Sequence, residues 1–569
     1  MQKITVISIF LLCFAGGCRV GTEKKSAGLP EGRHIVSDSG MVVSAHPESS
    51  RIGISVLRKG GNAVDAAVAT EFALAVCYPE AGNIGGGGFM IVRNADGSTD
   101  MIDYREKAPV LATEKMYLDK SGNVIEGLST ETHLSSGVPG TVEGMLNIHS
   151  KYGVLPFVKV IQPAIDLAKN GFPVTKDQAD DLNDNREQFI KRNKNRPAFV
   201  KEIQWKEGDT LRQPDLARTL ERIRDHGREG FYSGLTARLI INEMHRGNGI
   251  ISMDDLERYR SVFRAPLIAS YKGFRITTVS PPSGGGLILL QVLGMIEPFN
   301  LGSMGFHSAR SIHLITEAER RAFADRAEYF GDPDFTLIPV KELLDPDYLH
   351  SRMQSFDPER ATSSGEIRAG APVPEESEET THYSVVDYMG NAVAATTTLN
   401  NTFGSSIVVD SAGFLLNDQM DDFSVKPGIP NMYGLVGGEA NAIKPGKRML
   451  SSMTPVIVEK NGNLFLVAGS PGGSTIPTTI LQIITNIIDF GMDAGNAVDT
   501  GRYHHQWLPD NIIFERNSID TLVIDSLRKM GYTLEPRNSI GRVNAVLILP
   551  DKRLNAAADR RGNNSACGY

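Results

Sequence analysis

Cysteine is scarce in this chain, with four in 569 residues. Cys13 and Cys18 fall in an N-terminal apolar stretch, leaving Cys77 in an apolar helical pattern and Cys567 near the C-terminus. That excludes a disulfide-built scaffold. With no Cys-x-x-Cys pair and no Cys/His spacing, no zinc or other metal site is expected. A single Cys77–Cys567 disulfide stays open. Positive charge is short as well: 59 Lys and Arg stand against 67 Asp and Glu, for a net charge of −8. No basic stripe interleaved with aromatics is present, which argues against nucleic acid as a partner. Beyond the N-terminus no apolar run is long enough to suggest a membrane span. The glycine-rich residues 82–88 lack a Gly-Lys-Ser/Thr ending, and no Gly-x-Gly-x-x-Gly follows a strand, so a nucleotide site is unsupported and no cofactor is called for. Those glycines point instead to close backbone packing or to positive φ.

The N-terminus carries an address. Lys3 precedes an apolar core over residues 4–14, followed by Ala15-Gly16-Gly17-Cys18. A positive start, a short apolar core and small residues make a secretory signal. Ending on Cys18 resembles a bacterial lipobox, in which the cysteine is lipidated, although a leucine is usual where Ala15 stands. An ordinary cleaved signal is the alternative. The reading is a signal over 1–18, a polar tether over 19–31, and an exported, periplasmic protein whose one link to a membrane is a lipid on Cys18.

Residues 49–59 read as a helix, and Asn62 can cap a second over 63–76. A short strand is expected over 89–93. Residues 154–350 are mostly helical in pattern, interrupted by Ser280-Pro281-Pro282-Ser283-Gly284-Gly285-Gly286. Residues 365–379 then form an acidic, proline-bearing stretch that stops at Thr380, where the pattern turns to β. Residues 381–387 alternate, 388–391 supply a turn, and 392–398 return. If Asp387 faces Ala392, residue 380 lies opposite 399, and Thr398 ends beside Thr380. A chain cut before Thr380 would look like this, because a threonine with a free α-amine carries its own nucleophile and base. Composition alone equally allows an ordinary surface loop. Later, Gly469-Ser470-Pro471-Gly472-Gly473-Ser474 links a strand over 464–468 to a helix with Ile480, Ile483, Ile484, Ile487 and Ile488 on one face. Glycines ahead of a helix start leave free N–H groups suited to an oxyanion; a plain strand-to-helix turn is the alternative.

Taken in order, several motifs resemble the γ-glutamyltransferase (γ-glutamyltranspeptidase) family of N-terminal nucleophile hydrolases over residues 32–569. They are residues 85–89, Asp103-Tyr104-Arg105-Glu106, Thr380-Thr381-His382-Tyr383-Ser384, Leu399-Asn400-Asn401-Thr402-Phe403-Gly404, Asn417-Asp418-Gln419-Met420-Asp421-Asp422-Phe423, Ser451-Ser452-Met453, residues 469–474, and His504-His505-Gln506-Trp507-Leu508-Pro509-Asp510. The resemblance implies an α/β four-layer αββα sandwich. It also implies autocatalytic cleavage between Glu379 and Thr380, with a large subunit (32–379) and a small one (380–569) remaining together as a heterodimer.

By the same resemblance, Thr380 is the nucleophile, Thr398 orients it, and Gly472 and Gly473 form the oxyanion site. Arg105, Ser451 and Ser452 take the α-carboxylate of a γ-glutamyl donor, and Asp422, Asn400 and Gln419 take its ammonium. Tyr433 belongs to a lid over 427–438, a feature that favours small donors such as glutathione over polymers. The acyl group then passes to water or to an amino acid or dipeptide. Met449 departs from a proline common before Leu450-Ser451-Ser452. A glutaryl (cephalosporin-type) acylase and an inactive anchored binding protein are the competing expectations.

Overall fold

A computed structural model describes residues 30–367, 380–426 and 438–569. Cys18 and the signal, nearly all of the tether, Glu379 and Tyr433 lie outside the described residues.

Two antiparallel sheets form the centre. The first orders its strands Glu31–Gly32, Ser565–Gly568, Met41–Ser44, Thr381–Val386, Ala392–Thr398, Gly87–Arg93, Thr99–Asp103 and Val262–Arg264. The second runs His34–Ser37, Leu554–Ala558, Asn544–Ile548, Asn463–Gly469, Val456–Lys460, Phe274–Thr278 and Leu267–Tyr271. Strand side chains alternate between faces, so each strand feeds two cores. Val385, Val393 and Ala395 pack under the helices Pro47–Arg58 and Ala63–Cys77, whereas Val386, Ala392 and Ala394 meet Ile457, Val467 and Val546 between the sheets. Leu466, Val458 and Ala545 face a third core under the helices Gly285–Ile296, Ala309–Tyr329 and Thr475–Ile488. Helix, sheet, sheet, helix is the four-layer arrangement the resemblance implies. With both faces covered, the Thr381–Val386 strand is buried at every position.

Local signals account for several elements. Asn62 caps Ala63–Cys77 through a reciprocal capping box with Asp65, an arrangement whose loss typically costs about 1 kcal/mol. The glycines of 82–88 are there for approach: a Cβ on Gly85, Gly86 or Gly88 would stand 2.0, 2.1 or 2.3 Å from the carbonyl oxygens of Leu415, Thr398 and Thr396. None of the three has positive φ, which settles that alternative. The 154–350 region is helical as expected but also contributes the Val262–Arg264, Leu267–Tyr271 and Phe274–Thr278 strands. Cys77 and Cys567 are both buried and free, so the disulfide left open by the sequence is not formed.

Strands from either side of the 379/380 boundary are hydrogen-bonded neighbours within both sheets. A cut there would leave the two pieces interleaved through backbone hydrogen bonds and shared cores.

Candidate active site

Thr380 stands at the open end of the 381–398 hairpin. The observed register pairs Thr381 with Thr397 and Val386 with Ala392, which sets residue 380 opposite 398. The sequence-based register was off by one. Asp387 pairs back to Asn391 through its N–H at 3.0 Å, and its carboxylate accepts from the N–H groups of Met389 and Asn391. This closes a three-residue turn with Gly390 at φ 86°, a common hairpin solution, where four residues were expected. The correction brings the two threonines closer: Thr380 Oγ1 and Thr398 Oγ1 are 3.4 Å apart, and Thr398 Oγ1 also accepts the Asn400 N–H at 2.9 Å. Asn400 holds φ 85°, a conformation asparagine tolerates better than most residues.

One cavity gathers most of the expected residues. Thr380, Thr398, Asn400, Gln419, Asp422 and Arg105 line it, with Ser451, Ser452 and Gly473 on the remaining wall. Gly472 sits one residue behind that wall, at φ 129°. The carbonyls of Gly472 and Gly473 accept from Thr475 and Ile476 at the start of the Thr475–Ile488 helix. Leu450, Ser474 and Arg326 also line the cavity. Ser474 lies in a quoted motif without a role, and nothing in a helical pattern marks Arg326.

Arg105 is buried and anchored on several sides. Its Nε donates to the Met449 carbonyl at 3.4 Å, and one terminal nitrogen reaches the Leu450 carbonyl at 3.2 Å and the Asp422 carboxylate. The departure at Met449 is harmless here, because the contact is through the main chain. Arg105 and Asp422, expected to hold opposite charges of a ligand, are thus paired with each other, and Gln419 Nε2 donates to Asp422 Oδ2 at 2.9 Å. Behind Arg105, Asp103 accepts its N–H at 2.9 Å and is bridged by Arg264 at 2.8 Å and Arg448 at 3.4 Å. Arg448 leads directly into the Met449–Ser452 wall, so one ionic cluster braces both sides of the guanidinium. Burial pushes the neighbouring Glu106 carboxyl up to about 7, against the pull of Arg105.

Ser451 and Ser452 are braced from the Ser280–Gly286 loop. The Ser451 N–H donates to the Pro282 carbonyl at 3.0 Å, and Gly284 N–H donates to the Ser451 carbonyl at 2.8 Å. Ser283 Oγ donates to the Met453 carbonyl at 2.6 Å.

Two histidines from quoted motifs lie close to Thr380 and the glycine loop. His382 shares the inter-sheet face with Thr380. Ser384 Oγ donates to the Asn544 carbonyl, so it accepts from His382 Nε2, and Nδ1 accepts from Thr396 Oγ1 at 2.8 Å. Burial lowers this histidine to about 3, so it stays neutral. His504, lowered by burial to about 3, donates to Gln506 Oε1 at 2.9 Å, and Ser474 Oγ donates to the same oxygen.

With this geometry in view, known proteins give a consistent comparison. The family model for Gamma-glutamyltranspeptidase matches residues 49–569. The Glutathione hydrolase proenzyme of Escherichia coli (strain K12) is 45% identical over 563 residues, covering 98% of this chain and 97% of the relative. Among solved structures, cephalosporin acylase from Bacillus halodurans superposes with a TM-score of 0.82 at 25% identity, covering 97% of this chain and 99% of that one. Helicobacter pylori gamma-Glutamyltranspeptidase superposes at 0.56 with 44% identity, covering 57% of this chain and 94% of that one. The full-length match, together with the cavity around Thr380, establishes that this chain belongs to the gamma-glutamyltranspeptidase family.

Proposed function

We propose that this protein is a γ-glutamyltransferase and glutathione hydrolase, working through a γ-glutamyl ester on Thr380 after it has cut its own Glu379–Thr380 bond. The observation that carries the reading is the Arg105–Asp422 pair facing the cavity of the Thr380 hydroxyl. An amino acid end carries one carboxylate and one ammonium. Entering between the two side chains, it replaces one ion pair with two and leaves no charge uncompensated. Ser451 and Ser452 add donors to the carboxylate, and Asn400 and Gln419 support the ammonium side. A glutaryl group would bring no ammonium, leaving Asp422 without that exchange.

Before cleavage the Thr380 nitrogen is an amide and cannot act as base. Once freed, an α-amine with a reference pKa near about 8 takes the hydroxyl proton near neutral pH. Thr380 Oγ1 attacks the γ-carbonyl, Gly472 and Gly473 N–H groups hold the oxyanion, and the leaving amine departs with the proton. Loss of one such donor typically costs about 3–4 kcal/mol of barrier. Water or the amine of an amino acid or dipeptide then takes the acyl group from Thr380. Two-piece maturation is supported by the proenzyme character of the Escherichia coli relative, and by a solved chain that is matched over 94% of its length yet accounts for 57% of this one. Export, with lipidation of Cys18 as the anchor, completes the proposal and rests on the N-terminal motif.

The deciding assay compares γ-glutamyl and glutaryl anilides. The γ-glutamyl donor should turn over faster; a faster glutaryl rate would move the protein to the acylase reading. Mass spectrometry of both mature N-termini tests the cut before Thr380 and the lipid on Cys18 together.

A further inference from the structure

A second guanidinium, that of Arg326, lines the cavity beside Arg105. Arg326 lies on the helix Ala309–Tyr329, between Phe323 and Phe330. Phe323 meets the His504 ring edge-on at 5.7 Å, and His504 lies beside Ser474, next to Gly473. At the other end, a Cβ on Gly284 would meet both Phe330 and Leu450, so Phe330 stands against the serine wall. About one helical turn from each aromatic, Arg326 emerges between the glycine loop and the serine wall. It is 5% exposed and lines the cavity with Thr380. Arg105 is committed elsewhere, to Asp422, Glu106 and the Met449 and Leu450 carbonyls.

A γ-glutamyl peptide carries two carboxylates. One is at its glutamyl end; the other ends the peptide beyond the scissile amide. With the glutamyl end at Arg105 and Asp422 and the scissile carbonyl between Thr380 and Gly473, the leaving peptide passes the glycine loop. Two residues span about 7 Å when extended, within the compass of a long side chain at the cavity wall.

We propose that Arg326 is the second carboxylate-binding residue, taking the C-terminal carboxylate of the leaving peptide and, in transfer, that of a dipeptide acceptor. This inference rests on the γ-glutamyl reading of the site. It makes short peptides with a free C-terminus the preferred leaving groups and acceptors. A guanidinium is suited to the task because its planar fork matches a carboxylate.

The test compares glutathione with its C-terminal amide on the mature enzyme. A hydrogen bond to a charged group corresponds to a preference of about tenfold or more. Wild type should therefore favour the acid over the amide in kcat/KM by that factor, expressed mainly in KM. Arg326→Gln should bring the ratio close to one, and Arg326→Lys should restore part of it. Equal kcat/KM for acid and amide in wild type overturns the proposal, and so does a ratio that survives in Arg326→Gln. A fall of equal size for both donors would mark Arg326 as structural and also overturn it. Should Arg326→Gln fail to mature, the wild-type comparison still decides. Failure of the γ-glutamyl reading looks different: neither donor turns over while a glutaryl anilide does.

Discussion

Around Thr380 the neighbours, Arg326 on the cavity wall apart, are neutral: the Thr398 hydroxyl, the Asn400 N–H, the uncharged His382 further along the strand face, and the glycines that precede the Thr475–Ile488 helix. A short distance along the same cavity the neighbours are ionic: Arg105 with Asp422 and Glu106, backed by Asp103, Arg264 and Arg448. The neutral end is held by a β-ladder and sheet packing, the charged end by a buried ion cluster. The division suits the chemistry. A freed α-amine beside a fixed anion would hold its proton too tightly to serve as base, whereas selecting a zwitterionic amino acid end needs both charges in place. Substitutions at the two ends should therefore fail in different ways.

The largest effect belongs to the neutral end. Thr380→Ala should abolish both maturation and turnover, the latter by at least about 10⁴-fold, as removal of a nucleophile does elsewhere. Activity in an uncut Thr380→Ala protein would erase the distinction between the ends. Next comes Arg105→Ala, which leaves Asp422 and Glu106 without their buried cation. Removing one partner of a buried pair costs about 3–5 kcal/mol, so chemical denaturation should show a loss of that order along with a large rise in donor KM. Wild-type stability in this variant would mean the cluster behind it carries the load alone.

Asp422→Ala is gentler on the fold, because its side chain is 14% exposed at the cavity. Maturation should proceed, with donor KM rising by about 10–100-fold as a charge-assisted contact is lost. An unchanged KM would remove Asp422 from the ammonium site. Thr398→Val should lower kcat rather than raise KM, by about tenfold, since it leaves the Asn400 N–H without its acceptor; a KM effect alone would assign Thr398 to recognition. A pH-dependent effect lies under the hairpin, away from both ends of the cavity. Glu71 is fully buried, and burial raises its carboxyl to about 8 from 4.5. The folded state therefore holds a proton that the unfolded state gives up between those values, and wild-type stability falls as pH rises across that window. Glu71→Gln has no such proton, so its stability relative to wild type should grow by up to about 1.4 kcal/mol per pH unit there. A pH-independent difference would show that Glu71 is ionised in the fold.

Much of the neutral end was legible in the sequence because its signals are local. Strand alternation, a turn and a glycine loop before a helix place Thr380, Thr398 and Gly473, and the one error, a register slip of one, came from not seeing that Asp387 closes the turn by pairing to Asn391. The layers were not readable from pattern, since a strand buried on both faces shows no exposed side. At the charged end, family motifs supplied Arg105 and Asp422, but their contact with each other joins residues 317 positions apart. No spacing rule reaches that far. Arg448 and Arg326 were missed for the same reason: an arginine in a loop or on a helix reads as a surface charge until the fold closes over it.

The central claim is that the bond before Thr380 is cut to free the amine that lets Thr380 work. Intact-mass analysis of the purified protein, run beside Thr380→Ala, tests it most directly. The account predicts a small subunit beginning at Thr380 in the active wild type and a single uncut, inactive chain in the variant. An active wild-type protein that is one continuous chain, or a small subunit starting elsewhere, would contradict it.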